Sequence, residues 1–242
     1  LSFSDNKIRM DNGFDLQGNS YFGGGQMYIS SRTFLVRQNN QVHLEVQHSA
    51  STHRQPIVIF QSRRRNNSQY SFLWCRSNQG ADIEMYLRGD GRAFADRTWQ
   101  ANGADYAEYF EWKDGNPDNE DRAGYSVTMV SGDKIGITQS SGQIPIGIVS
   151  RSAGVVGNAA GNRWTDKYQK DVWGEYIRDE EGGPILNPNY DENVEYVTRE
   201  DRQEWDTIGL MGRLRMRRGQ IVGSNWLKLR DITDDVEEWL VK

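Results

Sequence analysis

The sequence predicts a mainly β, loop-rich chain, and three observations carry that reading. Apolar and aromatic residues fall in short alternating or β-branched runs separated by Gly, Asn, Asp and Ser. Gly is abundant, at 25 of 242 residues, and eight Trp stand beside it, a bias opposite to that of long charge-rich helices. The hydrophobic share is only 36%, thin for a β-rich chain, which suggests that part of the core is borrowed from partner subunits.

A first unit, residues 1–98, reads as short strands and turns. "YFGGGQMYIS" holds a glycine tract that needs an unusual backbone or a close approach. "QVHLEVQH" alternates through Val42, Leu44 and Val46, as a half-buried strand does. "PIVIFQ" and "QYSFLWCR" are β-branched and aromatic runs, and "YLRGDGRAF" sets a Gly-Asp-Gly turn between two more.

A second unit covers residues 99–242. "RAGYSVTMVSGDKIGITQ" gives strand, turn, strand, and "IPIGIVSRSAGVVGN" is an apolar strand that breaks at Ser150–Gly154. A polar insert follows over about 159–204, where Trp164, Tyr168, Trp173 and Tyr176 suit either a helix or a set of docking anchors. From 205 β character resumes, with Leu214 and Met216 alternating with Arg213, Arg215 and Arg217. The terminal "DITDDVEEWLVK" predicts a short helix: Asp234 and Glu237 have capping-box spacing, and Val236, Trp239 and Leu240 form a stripe. So short a helix must dock on something, an equivalent helix of a neighbouring subunit being a reasonable candidate.

Composition narrows the function classes. No run approaches the roughly 18 apolar residues of a membrane helix, so no membrane insertion is expected. The N-terminus lacks a signal-peptide pattern and an initiator Met, which reads as a fragment of something longer. The single cysteine, Cys75, excludes an intrachain disulfide and a thiolate metal cage; it reads as a packed strand residue. The net charge of −5 divides into about +4 over residues 1–100 and −9 over the remainder. The Arg63–Arg65 cluster reads as a solvated turn, and without an aromatic-basic groove nucleic-acid binding is not expected.

The chemistry is equally bounded. His43, His48 and His53 all precede residue 54, so a nucleophile–histidine arrangement would have to cross between units, and their spacing suits no shared metal. The "DGNPDNEDR" run, Asp114–Arg122, has the composition of a calcium loop without its spacing. Asp82 with Glu84, or Asp90 with Asp96, could be imagined as a glycan-hydrolysing pair, with nothing in the sequence to favour them. What stands out is "GADYAEYFEW", residues 103–112, where Asp105 and Glu108 sit among Tyr106, Tyr109, Phe110 and Trp112. Carboxylates beside aromatic surface must be paired, hydrogen-bonded or used. Two of them with separated pKa values can hydrolyse an amide, although acidic residues on the polar side of a strand are the more ordinary reading.

The blocks "GADYAEYFEW", "DGNPDNEDRAGYSVTM", "IPIGIVSRSAGVVGN" and "EWDTIGLMGRLRMRRGQIVGSNWLKLRD" resemble the autoproteolytic intramolecular chaperone domain of bacteriophage tail spikes and appendages, glutamic peptidase family G2, over about Gly103–Lys242. The resemblance implies a domain at the C-terminus of a trimeric β-rich spike or fibre, which promotes assembly and then cuts itself from the mature part. It implies Asp105 and Glu108 as the catalytic pair and Ala104–Asp105 as the bond cut; the family's familiar cut follows a serine, where this chain has Ala104. It also implies a homotrimer joined to the rest of a virion fibre, formed in the host cytoplasm, with no cofactor. Residues 1–98 would be distal fibre, with a host-surface glycan as a candidate partner. The rival reading is a non-cleaving trimerisation module with a receptor-binding tip.

Overall fold

The computed structural model describes residues 2–4, 7–9, 51–52, 54, 56–161 and 163–242. The chain divides into two compact units, Leu1–Ile59 and Phe60–Lys242. In the first, β1 (Ser2–Ser4) and β2 (Lys7–Arg9) pair antiparallel. The glycine tract, the "QVHLEVQH" run and all three histidines lie outside the described residues.

The second unit begins with a three-stranded antiparallel sheet of β3 (Ser71–Ser77), β4 (Asp82–Arg88) and β5 (Ala93–Ala95). Cross-strand aromatics hold it: Trp74 lies 5.7 Å from Tyr86, and Tyr86 stacks on Phe94 at 4.5 Å. The expected Gly-Asp-Gly turn joins β4 to β5, and Gly91 takes the positive φ of +86° that the turn requires. Cys75 is a free, partly buried strand residue. "PIVIF" does not form the expected strand: among the described residues Ile57, Val58, Ile59 and Phe60 have no ladder partner, and they stay 48–69% exposed. Residue type alone favours a strand there, but a strand needs a neighbour.

The larger sheet closes on itself. It contains β6 (Asp105–Trp112), β7 (Ser126–Ser131), β8 (Lys134–Ile137), β9 (Gly147–Val149), β10 (Val155–Gly157), β11 (Trp205–Arg217), β12 (Leu227–Asp231) and β13 (Val236–Val241). The pairings run β6–β8–β7–β9–β11 and back to β6, a five-stranded barrel, while β10 flanks β6 and β13–β12 extends β11. Each barrel strand gives one residue to the core, Trp112, Val127, Ile135, Val149 and Ile208, all at most 2% exposed. Burying a side chain of this size is worth about 1.5–3 kcal/mol. On the other face Ile148, Leu214, Met216, Trp226 and Val241 form a second cluster, so Leu214 and Met216 point in and their arginine neighbours out, as the alternation predicts.

Two helical expectations fail. Residues 236–241 form β13, with Glu237, Trp239 and Val241 on the inward face instead of a Val236–Trp239–Leu240 stripe. The edge of β11 was free to take a strand, and Lys228 and Arg218 balance the Glu237 charge that the inward face would otherwise bury unpaired. The insert likewise contains no helix over 164–176. It is an irregular ribbon whose bridges join Tyr168 to Leu186, Lys170 to Tyr176 and Arg178 to Pro184. Tyr168 meets Tyr176 edge-on and Trp164 meets Tyr196, whereas Trp173 at the ribbon tip is 87% exposed.

Candidate active site

Asp105 opens β6, and the whole turn before it is built on close backbone approach. A Cβ on Gly103 would lie 2.2 Å from the Gly154 nitrogen, and one on Gly154 would lie 2.3 Å from the Gly103 oxygen. Glycine at both places lets the segment after the β9 break run against the chain before β6. The amide of Gly154 donates to the Asp105 carbonyl at 2.9 Å. On the opposite edge Gly212, φ +114°, pairs with Asp105, and its absent Cβ would sit 2.4 Å from the Ala104 oxygen. The amide of Arg213 donates to that same Ala104 oxygen at 3.2 Å. Between Gly209 and Met211 the β11 register shifts by one residue, a bulge that brings Gly212 opposite Asp105.

The two carboxylates predicted to act together stand on opposite faces of one strand. Side chains alternate with period two, so positions 105 and 108 diverge, and their Cα atoms lie roughly 10 Å apart along the strand. The neighbours confirm the split. Asp105 is 7% exposed and turns toward Gly209, whose added Cβ would lie 3.0 Å from Asp105 Oδ2. Glu108 is half-buried beside Tyr106, whose hydroxyl donates to Glu108 Oε1 at 2.6 Å. Both lie over Gly157, where a Cβ would clash with the Tyr106 hydroxyl at 2.5 Å.

Burial pushes the Asp105 carboxyl above the ordinary carboxylate range, although the Ser150 hydroxyl and its own backbone amide stabilise the ionised form. Oδ2 is buried without a hydrogen-bond partner among the described residues. A desolvated oxygen with no partner among the described residues, next to a peptide group whose carbonyl is held by the Arg213 amide, makes Asp105 a candidate functional group. Sequence reasoning singled out Asp105 and Glu108 but gave no site role to Ser150, Tyr106, Gly212 or Arg213. Their available signal was the recurrence of Gly in "GADY", "SAGVVG" and "GLMGR".

The other sequence candidates resolve differently. Asp90 is held ionised by Arg88, with its pKa lowered to about 2, and Glu84 accepts from Ser77, so neither is poised for glycan hydrolysis. In the Asp114–Arg122 loop the buried Arg122 guanidinium takes Asp114 at 2.7 Å and Glu120 at 3.0 Å and lies 4.5 Å over the Trp112 ring. The loop is therefore closed by an internal cation. Among the described residues no group of three or more His, Cys, Asp or Glu gathers, and no helix is long and apolar enough to cross a membrane.

Comparison with known proteins then decides the family. A profile described as Peptidase_G2, IMC autoproteolytic cleavage domain, matches residues 56–238. The chain belongs to the Peptidase_G2 family. The pre-neck appendage protein of Bacillus phage B103 is 32% identical over 146 residues, covering 57% of this chain and 16% of that protein. The pre-neck appendage protein of Bacillus phage phi29 is 34% identical over 128 residues, 50% and 14% respectively. The putative phage-related protein YobO of Bacillus subtilis (strain 168) is 31% identical over 137 residues. The crystal structure of pre-mature bacteriophage phi29 gene product 12 superposes with a TM-score of 0.57 at 27% identity, over 66% of this chain and 24% of that one. The chain thus spans only about a sixth of the length of the curated relatives it matches.

Proposed function

We propose that this Peptidase_G2 chain is the C-terminal part of a phage appendage or fibre protein, that three copies assemble, and that assembly triggers one cut at Ala104–Asp105. The observation that carries the reading is the placement of Asp105 and Glu108 on opposite faces of β6. A single chain cannot bring both to one bond, whereas a neighbouring copy can present its Glu108 to this chain's Asp105. The Glu108 face supports this: Val155, Tyr106 and Met211 share a cross-strand row there, with Val155 60% and Met211 58% exposed.

Asp105 is adjacent in sequence to the bond it attacks, so no substrate-binding entropy is lost. With Oδ2 sealed from solvent, direct attack is favoured over positioning of a water molecule. The carboxylate bonds to the Ala104 carbonyl carbon, closing a six-membered ring. Glu108 of the neighbouring copy delivers a proton to the Asp105 nitrogen, and the C–N bond breaks to leave a mixed anhydride and a free amine. Water hydrolyses the anhydride, regenerating the Asp105 carboxylate and releasing the Ala104 carboxylate. The domain turns over once.

Co-expression of Asp105→Asn and Glu108→Gln chains tests this by intact mass. Each alone should stay whole. In mixed trimers the Glu108→Gln chain, supplied with Glu108 by its neighbour, should be cut at Ala104–Asp105 while the Asp105→Asn chain persists. Mixed trimers that remain wholly uncut would overturn the shared site. Wild-type chains that stay whole as trimers would leave an assembly module only.

A further inference from the structure

We infer that the backbone amide of Arg213, presented by the positive-φ Gly212 and the β11 bulge, is the group that stabilises the oxyanion of the cleavage reaction. The inference rests on the reading of Ala104–Asp105 as the bond cut. The Arg213 amide donates to the Ala104 oxygen, the reacting carbonyl, at 3.2 Å. That is long for a ladder bond, whose ordinary length is about 2.9–3.0 Å. As the Ala104 carbon gains its fourth bond, the carbonyl π pair moves onto oxygen, and the contact has room to shorten while the charge grows. A donor whose bond strengthens only then lowers the barrier instead of merely binding the ground state. When the C–N bond breaks, the pair returns to the carbonyl and the interaction relaxes.

The surroundings place this donor rather than leaving it to chance. Without the bulge at Gly209–Met211 the ladder would offer a different residue to Ala104. Any side chain at 212 would strike the Ala104 oxygen, at 2.4 Å, and would have to adopt the φ of +114°. On the other side the Gly154 amide holds the Asp105 carbonyl, which does not react. The two carbonyls flanking the Asp105 residue therefore each receive one backbone donor, and only one of these faces developing charge.

Replacing Arg213 by its α-hydroxy acid through nonsense suppression removes the N–H and keeps the side chain. Cleavage in assembled trimers, followed by intact mass, should slow by about a hundredfold to a thousandfold, with trimer yield unchanged. The same ester at Gly154 removes the neighbouring donor and should slow cleavage less than about tenfold. Equal rates for the Arg213 ester and the parent, or equal losses for the two esters, would overturn the assignment. Should the Arg213 ester fail to assemble, Gly212→Ala tests the same contact, and assembled Gly212→Ala trimers cut at the parent rate would also overturn it. N-terminal sequencing of the parent fragment separates the two layers, since a cut elsewhere than Asp105 sinks the underlying reading first.

Discussion

Removing Arg151 should strand a buried charge, and the consequence can be worked through. Asp206 is 4% exposed in β11, with one oxygen on the Arg151 guanidinium at 2.5 Å and the other accepting from the Trp112 indole at 3.4 Å. Burial pushes its carboxyl up, and Arg151 is the largest influence holding it down. A pair of this kind is worth about 4 kcal/mol at an effective dielectric near 20. The Arg151 side chain is 53% exposed, so solvent screens part of that and water reaches the freed carboxylate. Arg151→Leu should therefore cost about 2–3 kcal/mol, or roughly 5–10 °C in a chain of this size.

The assay is thermal unfolding at fixed protein concentration in a Glu108→Gln background, so that no cut intervenes. The sign of the pH dependence follows from the raised carboxyl. The folded state binds that proton more tightly than the unfolded one, so ionisation costs stability as pH rises through the folded value. Arg151→Leu raises that value further, so its penalty should be full at pH 8 and shrink toward pH 5. Arg151→Leu/Asp206→Asn should recover most of the loss at pH 8. A penalty below about 0.5 kcal/mol at pH 8, or a double variant no more stable than Arg151→Leu, would refute the account.

Asp105→Asn, compared in the same uncleaved background, should raise the melting temperature at pH 8 and leave it unchanged near pH 4. The buried carboxyl is raised, so its cost appears only above the folded value, and an unchanged pH 8 melting curve would count against burial as the cause. Arg122→Ala should destabilise by about 2–3 kcal/mol through lost charge-assisted bonds and the Trp112 contact, the exposure of Asp114 and Glu120 holding the figure down; thermal unfolding checks it. Gly103→Ala should cost about 1–3 kcal/mol and slow cleavage at least a hundredfold, because its Cβ meets the Gly154 backbone rather than a movable side chain. Intact mass over time reads the second effect, and parent-like cleavage would show that the backbone can give.

The β class and the strands from Ser126 to Val149 were legible because each carries its own alternation and its own turn. The terminal strand was not, because what decides it is remote. Glu237 goes inward only because Arg218 and Lys228 come from other elements, and local spacing favoured a helix cap. The candidate site divides the same way. Asp105 and Glu108 were visible as carboxylates among aromatics, and strand periodicity alone already separates their faces. The Arg213 donor was invisible, being a backbone group 109 positions from Ala104 in a chain whose bulge cannot be read from residue type.

The separation of the faces gives the proposed cleavage its timing. On the proposed mechanism, half of the chemistry is assembled as soon as β6 pairs with β11: the candidate nucleophile neighbours its bond, and the Arg213 amide already touches the carbonyl. Were Glu108 on the same face, a folded monomer would hold a complete site and could cut before meeting its partners. With Glu108 across the strand, held by Tyr106 beside an exposed apolar row, the proposed proton donor would arrive only with the next copy. The same burial that raises Asp105 keeps water from Oδ2 meanwhile. A domain that cuts only once, as proposed, gains nothing from speed and much from restraint, and the odd, three-residue spacing of Asp105 and Glu108 on one strand is enough to supply it.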